Sequence, residues 1–166
     1  AYSGKRCFIL GNGPSLKKVD FSSLKDEYVF SVNQLPRNAD FVNLNTTFHL
    51  WSDWRFFDLK KENEEDMELL DVMKKVNTAN NCPAVFYLNI AYNMVKEFQL
   101  DKELDIYYYE HVKRQNGLPE EIDFTKLVPQ FSTVIHYAVC LAVYMGFSEI
   151  YLLGADCSYK RGKKNH

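Results

Sequence analysis

A glycine-rich loop follows the first apolar run of the chain, and its residue types suit the binding of a phosphate group. Ile9-Leu10 leads into Gly11-Asn12-Gly13-Pro14-Ser15-Leu16. Glycines permit positive φ and a close backbone approach, so that successive N–H groups can point at an anion. Pro14 suits the first position of a helix, and the Ser15 hydroxyl can donate beside the phosphate. The loop has neither GxGxxG nor Walker spacing, and a tight turn that needs glycine for geometry alone is the alternative interpretation.

Polar residues also follow three other apolar runs. Asn33 comes after the second run, and its amide can pair with a base or ribose edge or can cap a turn. Ser52 and Asp53 follow the third run, where Asp53 is either a metal ligand or a helix N-cap. Asp156 lies in the small-residue stretch Gly154–Tyr159 after the last run. Its carboxylate can bind a metal, a hydroxyl or a ribose, or can be a solvated loop residue.

The four histidines form no cluster by spacing. His136 lies in an apolar helical stretch, where a core position is expected, and His49 and His111 have no partner in the sequence. His166 shares the final loop with the basic run Lys160–Lys164, the placement compatible with a general base. The sequence contains no Ser/His/Asp triad and no HExxH, so His166 is the candidate catalytic residue.

Composition bounds the class of protein. The 166 residues fit one domain, 1–166, with 46% hydrophobic and 25% charged residues. A net charge of −2 gives no general attraction to nucleic acid. The four cysteines form no CxxC pair, which predicts a reducing compartment without structural zinc. No apolar run approaches the ~18 residues that span a bilayer. We expect a cytoplasmic domain excised from or truncated within a longer protein, whose missing regions would supply any membrane association.

Six β-rich apolar runs and three helical stretches are expected to position these residues. The runs are Arg6–Leu10, Tyr28–Val32, Thr47–Trp51, Ala84–Leu88, Asp105–Tyr109 and Glu149–Leu153. The helical stretches are 53–76, Ile90–Glu97 and Ser132–Met145, the last opened by a Ser-Thr N-cap pair and ended by Gly146. Gln115–Pro129 reads as a long irregular connection.

The alternation of strands and helices predicts an α/β, Rossmann-like fold. Near-continuous apolar strands indicate burial on both faces, so the sheet of about six strands is mostly parallel with helices on both faces. Ligands of such sheets bind beyond the carboxyl ends of the strands. The glycine-rich loop and the polar residues described above are therefore expected to share one edge.

Two related families are similar to this chain at both of its ends. The matching stretches are Phe8–Leu16, Val29–Gln34 and Ser132–Tyr159, with a Gly-Asn-Gly-Pro-Ser-Leu loop and a Glu-Ile-Tyr-Leu-x-Gly-x-Asp strand. They resemble the Campylobacter-type bacterial sialyltransferases and the 6-hydroxymethylpterin diphosphokinase MptE-like family. The Ser52-Asp53 pair and the Gly-x-Asp-x-Ser-Tyr ending favour the MptE-like family.

The resemblance implies roles for individual residues. Asn12, Gly13 and Ser15 would hold the phosphate side of a nucleotide, and Asn33 would contact the nucleotide. Ser132 or Thr133 would match the hydroxyl residue that opens the long helix, and Tyr159 the tyrosine near the leaving phosphate. The catalytic histidine of the sialyltransferases would be His166 or a residue beyond it. The nucleotide-binding set is Gly11, Asn12, Gly13, Pro14, Ser15, Asn33, Ser52, Asp53, Ser132, Thr133, Asp156 and Tyr159.

Three functions follow as hypotheses. The first is a nucleotide-dependent, MptE-like transferase, sialyltransferase-like in using a nucleotide-sugar donor and a glycan acceptor in surface polysaccharide biosynthesis. The second is a Mg²⁺-ATP-dependent diphosphokinase acting on a pterin, with Asp53 and Asp156 as metal ligands. The third is a non-catalytic nucleotide- or glycan-binding module. A homo-oligomer is also expected, because the related sialyltransferases assemble.

Overall fold

The computed structural model describes residues 1–77, 82–112 and 121–156. The predictions for Tyr159, Lys160–Lys164 and His166 lie outside these residues. The strands are β1 (Arg6–Leu10), β2 (Tyr28–Val32), β3 (Phe48–Trp51), β4 (Ala84–Leu88), β5 (Asp105–Val112), β6 (Leu127–Pro129) and β7 (Glu149–Leu153). The helices are α1 (Glu64–Lys74), α2 (Tyr92–Glu97) and α3 (Val134–Met145), and none in the described part of the chain is long and apolar enough to cross a bilayer.

The strands form one parallel sheet in the order β6-β5-β4-β3-β2-β1-β7. The chain adds one strand at a time from β1 to β6, and α3 then crosses back to place β7 on the other side of β1. Because parallel crossovers are right-handed, α3 covers one face and the earlier connections cover the other. The predicted α/β Rossmann-like fold is therefore confirmed, and its switch point lies between β1 and β7.

Along β1 and β2, side chains of alternate residues enter two separate cores. Cys7, Ile9 and Phe30 join the larger cluster, which includes α3, whereas Leu10 and Val29 join a smaller one. The smaller core is closed by the short 3₁₀ helices of the β1–β2 and β2–β3 connections. Burial on both faces explains why the strands are near-continuous in apolar character.

The first long helix is shorter than the sequence predicted. The chain makes a 3₁₀ turn at Trp54–Phe56 and buries Phe57 and Leu59 before α1 begins. The Asn63 side chain accepts the N–H groups of Glu65 and Asp66 at 2.9 and 3.3 Å. This N-cap starts the helix eleven residues later than the expected position 53, because two buried apolar side chains hold the preceding segment against the core.

The connection before α3 contains an unpredicted strand. Leu127–Pro129 pairs with the end of β5, so the prediction of an irregular segment was wrong there, while residues 113–120 lie outside the described part. The sequence signal is weak because β6 has three residues and ends in a proline, which only an edge strand tolerates. Along α3, Val134, Tyr137 and Leu141 are buried, whereas His136 is exposed. The predicted core position of His136 was therefore wrong.

Candidate functional site

The glycine-rich loop lies directly against the end of β7. The Gly11 N–H donates to the Leu153 carbonyl at 2.8 Å, and the Gly13 N–H donates to the Gly154 carbonyl at 2.8 Å. These bonds continue the pairing of β1 with β7 past the last strand residues. The two segments that gave the resemblance at opposite ends of the chain thus form one corner at the switch point of the sheet.

Asp156 and Ser15 close this corner. The Ser15 N–H donates to Asp156 Oδ2 at 2.7 Å, and the Ser15 hydroxyl donates to Asp156 Oδ1. The hydroxyl and then the N–H of Ser15 lower the pKa of the Asp156 carboxyl. Both residues are exposed, so the carboxylate is ionised and faces solvent at the edge where ligands of this fold bind.

Close packing, and not positive φ, requires glycine in the loop. Gly13 has φ −73°, and of the glycines described only Gly4, Gly146 and Gly154 have positive φ. A Cβ on Gly11 would stand 2.5 Å from the Gly154 carbonyl oxygen. A Cβ on Gly13 would stand 2.6 Å from the same oxygen and would overlap the Asp156 carboxylate. The expected close approach is therefore present, but the loop approaches the protein's own chain.

Three N–H groups of the loop are already occupied. Those of Gly11, Gly13 and Ser15 donate to Leu153, Gly154 and Asp156 respectively. In this conformation they do not converge on an anion as the sequence led us to expect, and Asp156 places negative charge beside them. A carboxylate has about four lone-pair sites and can accept further hydroxyl donors. The corner thus suits a polyol such as ribose better than a phosphate at Ser15. Pro14 opens the 3₁₀ helix Pro14–Lys18, as expected.

Asn12 reaches the residue before Asn33 beside this corner. The Asn12 side-chain amide donates to the Val32 carbonyl at 3.2 Å, and the Asn33 N–H donates to the Leu50 carbonyl at 2.9 Å. Asn33 has φ 46°, a left-handed conformation. Its Oδ1 is buried and has no hydrogen-bond partner among the residues that the structure describes. Asn33 therefore has a turn geometry, and its Oδ1 is an unsatisfied acceptor; pairing with a base or ribose edge stays a prediction.

A buried histidine, His49 of β3, lies next to the turn at Asn33. His49 Nδ1 is 2.6 Å from the Ser31 hydroxyl, and both side chains are fully buried. Burial lowers the pKa of His49 to about 3, although the neighbouring Asn33 backbone opposes this change. The imidazole is consequently neutral at physiological pH. The sequence did not reveal the partner, because Ser31 lies 18 residues earlier and meets His49 only through strand register.

Asp53 lies farther along the same edge. Its carboxylate accepts the Arg55 N–H at 3.1 Å and forms an ion pair with the Arg55 guanidinium, which lowers the pKa of Asp53. Asp53 is thus the N-cap of the turn Trp54–Phe56. Beside it, Ser52 follows Trp51, whose carbonyl accepts the hydroxyl of the buried Tyr109 at 3.2 Å. Burial raises the pKa of Tyr109, and the Ser52 side chain opposes this change.

The structure does not bring the two expected metal ligands together. Asp53 follows β3 and Asp156 follows β7, three strand spacings apart in the sheet. At ~4.8 Å per spacing they are separated by about 14 Å, whereas Mg²⁺ holds its ligands at about 2 Å. No group of three or more His, Cys, Asp or Glu residues within 1–77, 82–112 and 121–156 is placed to hold a metal. The described carboxylates therefore do not fit a shared Mg²⁺.

The start of α3 completes the edge. Thr133 is the N-cap, and its hydroxyl accepts the His136 N–H at 3.4 Å. Because α3 follows β6, its first turn lies at the carboxyl end of the sheet, and Ser132, Thr133 and His136 are exposed there. The sequence predicted a core position for His136, because the apolar residues before and after it are typical of a buried helix.

Large exposed apolar side chains also lie at this edge. Trp54, Ile90 and Tyr92 follow β3 and β4 and are 67%, 60% and 48% exposed. Trp51 and Tyr87 are register partners in β3 and β4. Trp54 and Ile90 each come three residues after this pair, so both follow the carboxyl ends of the two strands. Sequence reasoning did not single out these residues, because aromatic content alone does not separate core from surface.

Comparison with solved structures shows a likeness in fold. No protein-family model matches the chain, and no curated protein matches it by sequence. The solved structure of the MAf glycosyltransferase from Magnetospirillum magneticum AMB-1 is similar over 97% of this chain, with a TM-score of 0.63 and 17% identity. The chain spans 24% of the length of that protein. At this identity the likeness shows a shared fold.

Proposed function

We propose that this chain is the nucleotide-binding domain of a glycosyltransferase that uses a nucleotide-sugar donor. The observation that carries the proposal is the corner at the switch point, where Gly11–Ser15, Asn33 and Asp156 converge on one exposed edge. Rossmann-like sheets bind nucleotides there. The shared fold with a glycosyltransferase supports the choice of reaction class. A bacterial surface glycan is the product class that the sequence resemblance implies.

Each residue of the corner has a proposed role. Asp156 accepts ribose hydroxyls through its remaining lone pairs, and Asn33 Oδ1 accepts a donor from the nucleotide. The Ser132–Thr133 start of α3 faces the donor phosphate, where first-turn hydroxyl and N–H groups stabilise negative charge. The exposed Trp54 and Tyr92 rings offer flat apolar surfaces to the acceptor sugar.

The reaction that we propose is transfer of the sugar to an acceptor hydroxyl. The acceptor oxygen forms a bond to the anomeric carbon, the bond from that carbon to the phosphate oxygen breaks, and the nucleotide leaves with the electron pair. A general base takes the acceptor proton. His166, or a residue beyond it, is the proposed base, and Tyr159 is proposed to lie near the leaving phosphate. The described residues supply binding and orientation.

A thermal-shift panel tests the proposal. The chain is heated with CMP, CDP, UDP, GDP, ATP or CMP-sialic acid, each with and without Mg²⁺. A ligand at 100 times its Kd stabilises a protein by ~2.7 kcal/mol, so binding is readily detected. We expect a shift with a nucleotide or nucleotide-sugar in the absence of metal. A shift from ATP that requires Mg²⁺ would favour the diphosphokinase hypothesis, and no shift from any compound would overturn nucleotide binding.

Matched aspartate variants locate the binding site. Asp20 Oδ1 accepts the N–H and the hydroxyl of Ser22 at 2.9 and 2.8 Å, the same two donor groups that Asp156 accepts from Ser15 with its two oxygens. We expect Asp156→Ala to abolish the nucleotide-induced shift and Asp20→Ala to keep it. Equal shifts in both variants would place the nucleotide elsewhere.

A further inference from the structure

We infer that the buried Ser31–His49 pair holds Asn33 in its left-handed conformation and thereby positions the Asn33 amide. Both partners of the pair are positioning residues in this inference, because neither reaches the exposed edge. The left-handed conformation is a property of the chain alone. The consequence for ligand binding rests on the nucleotide-binding function proposed above.

The backbone at Asn33 has an unfavourable conformation. A left-handed φ of 46° is unfavourable for a residue that carries a Cβ, although asparagine tolerates it better than most. Such conformations persist where the surroundings over-determine them, and they concentrate at functional sites. The Asn33 N–H is tied to Leu50 and the preceding carbonyl, of Val32, to the Asn12 amide. These two hydrogen bonds hold the backbone of the turn in place.

The imidazole of His49 supplies the support on the buried side. Its Nδ1 is fixed by the Ser31 hydroxyl at 2.6 Å, and the ring lies within hydrogen-bonding reach of the Asn33 backbone. Ser31 and His49 are register partners in β2 and β3, and Ser31 lies two residues before Asn33. Strand pairing therefore holds the ring next to the Asn33 turn. The ring is fully buried and therefore closely packed, so it limits the conformations open to Asn33.

An unpaired polar atom on Asn33 indicates that the arrangement serves a ligand. Asn33 Oδ1 is buried and makes no hydrogen bond within the described part of the chain. Burying such atoms without partners is unfavourable, and native structures keep few of them. Asn33 lies at the edge of the sheet and is only partly buried, so a small movement of its amide would offer Oδ1 to a bound molecule.

Nuclear magnetic resonance of the whole chain tests the conformational part. The variants are Ser31→Ala and His49→Phe, with Thr47→Val as the matched control. Thr47 also joins β2 to β3 through its hydroxyl, which accepts the Val29 N–H at 3.1 Å, but at the opposite end of the strands. We expect the left-handed signature in the Asn33 Cα and Hα shifts to be lost or averaged in both test variants and kept in the control. An unchanged signature in Ser31→Ala and His49→Phe would overturn the inference.

A thermal double-mutant cycle covers the case in which His49→Phe does not fold. Glycine adopts left-handed φ without support. Ser31→Ala should therefore lower Tm more in the parent chain than in the Asn33→Gly background. Equal Tm losses in the two backgrounds would overturn the inference, since independent residues give additive effects.

The binding consequence is measured by calorimetry with the nucleotide that gives the largest thermal shift. Ser31→Ala should weaken its binding about tenfold, the effect of one misplaced hydrogen bond, while Thr47→Val leaves the affinity unchanged. Unchanged affinity in Ser31→Ala would overturn the positioning role. If the parent chain binds no nucleotide, the proposed function fails, and the resonance and Tm measurements still decide whether the pair holds Asn33.

Discussion

Asp156 accepts both the backbone N–H and the hydroxyl of Ser15, a residue 141 positions earlier in the chain. Asp20 with Ser22 and Asp123 with Thr125 also accept a backbone N–H and a hydroxyl, but from a residue two positions later and with one carboxylate oxygen. The local pairs shape single turns. The long-range pair instead fastens the loop after β1 to the loop after β7, and so fixes the geometry of the proposed nucleotide site.

The first prediction concerns this fastening. Asp156→Asn should accelerate hydrogen exchange at the Ser15 and Leu16 amides, because the neutral side chain accepts more weakly than a carboxylate. Asp20→Asn is the control and should leave these amides unchanged. Since hydrogen bonds from Ser15 lower the folded-state pKa of Asp156, its stabilising contribution is present above the unfolded-state pKa and is lost as pH falls through the folded-state pKa. Exchange measured at neutral pH therefore reports the full contact, and equal protection in both variants would contradict it.

The second prediction concerns Gly13. Gly13→Ala should destabilise the chain by about 1–3 kcal/mol, because the new methyl group meets the Gly154 carbonyl and the Asp156 carboxylate. Gly4→Ala is the comparison, since Gly4 has φ +72° but open space around its Cβ position. It should lose ~1 kcal/mol through backbone strain without disturbing the loop. Urea denaturation gives both values, and the nucleotide-induced shift should fall only in Gly13→Ala.

The third prediction concerns pH. The folded-state pKa of His49 is about 3 against 6.5 for a free histidine, so the unfolded chain binds the additional proton as pH falls. Stability from this residue is complete above pH 6.5 and decreases as pH falls toward the folded-state value. One such histidine contributes a loss of about 2 kcal/mol between pH 7 and pH 5.

Chemical denaturation at several pH values measures this loss. His49→Phe should flatten the pH dependence between pH 7 and pH 5, whatever its effect on absolute stability. The exposed His136 provides the control, and His136→Gln should retain the slope of the parent chain. A slope that is unchanged in His49→Phe would contradict the neutral, buried imidazole.

The fourth prediction separates Ser132 from Thr133. Thr133→Ala should lower the free energy of unfolding by about 0.5–1 kcal/mol, because its hydroxyl caps α3 through a long hydrogen bond of 3.4 Å. Ser132→Ala should change stability by less than ~0.5 kcal/mol, as exposed residues outside the cap usually do. Thermal unfolding with calorimetry distinguishes the two. A larger loss in Ser132→Ala than in Thr133→Ala would show that Ser132, and not Thr133, is the N-cap of α3.

Local patterns were sufficient to predict most of the fold. Four strands, β1, β2, β4 and β7, have the predicted bounds, because apolar runs between turn residues are a local signal. The start of α1 was wrong because two buried side chains, Phe57 and Leu59, override a plausible N-cap at Asp53. The exposed position of His136 was missed because a helix that is apolar on most sides hides its solvent face.

The sequence by itself determined that an α/β sheet presents Gly11–Ser15, Asn33 and Asp156 beyond the ends of its strands. Only the tertiary structure decided what these residues contact. It turned the loop's N–H groups onto the chain's own carbonyls, joined Ser15 to Asp156, paired His49 with Ser31 and kept Asp53 away from Asp156. Strand order and register bring together residues that are distant in the chain, and neither is encoded in any local pattern of residue types.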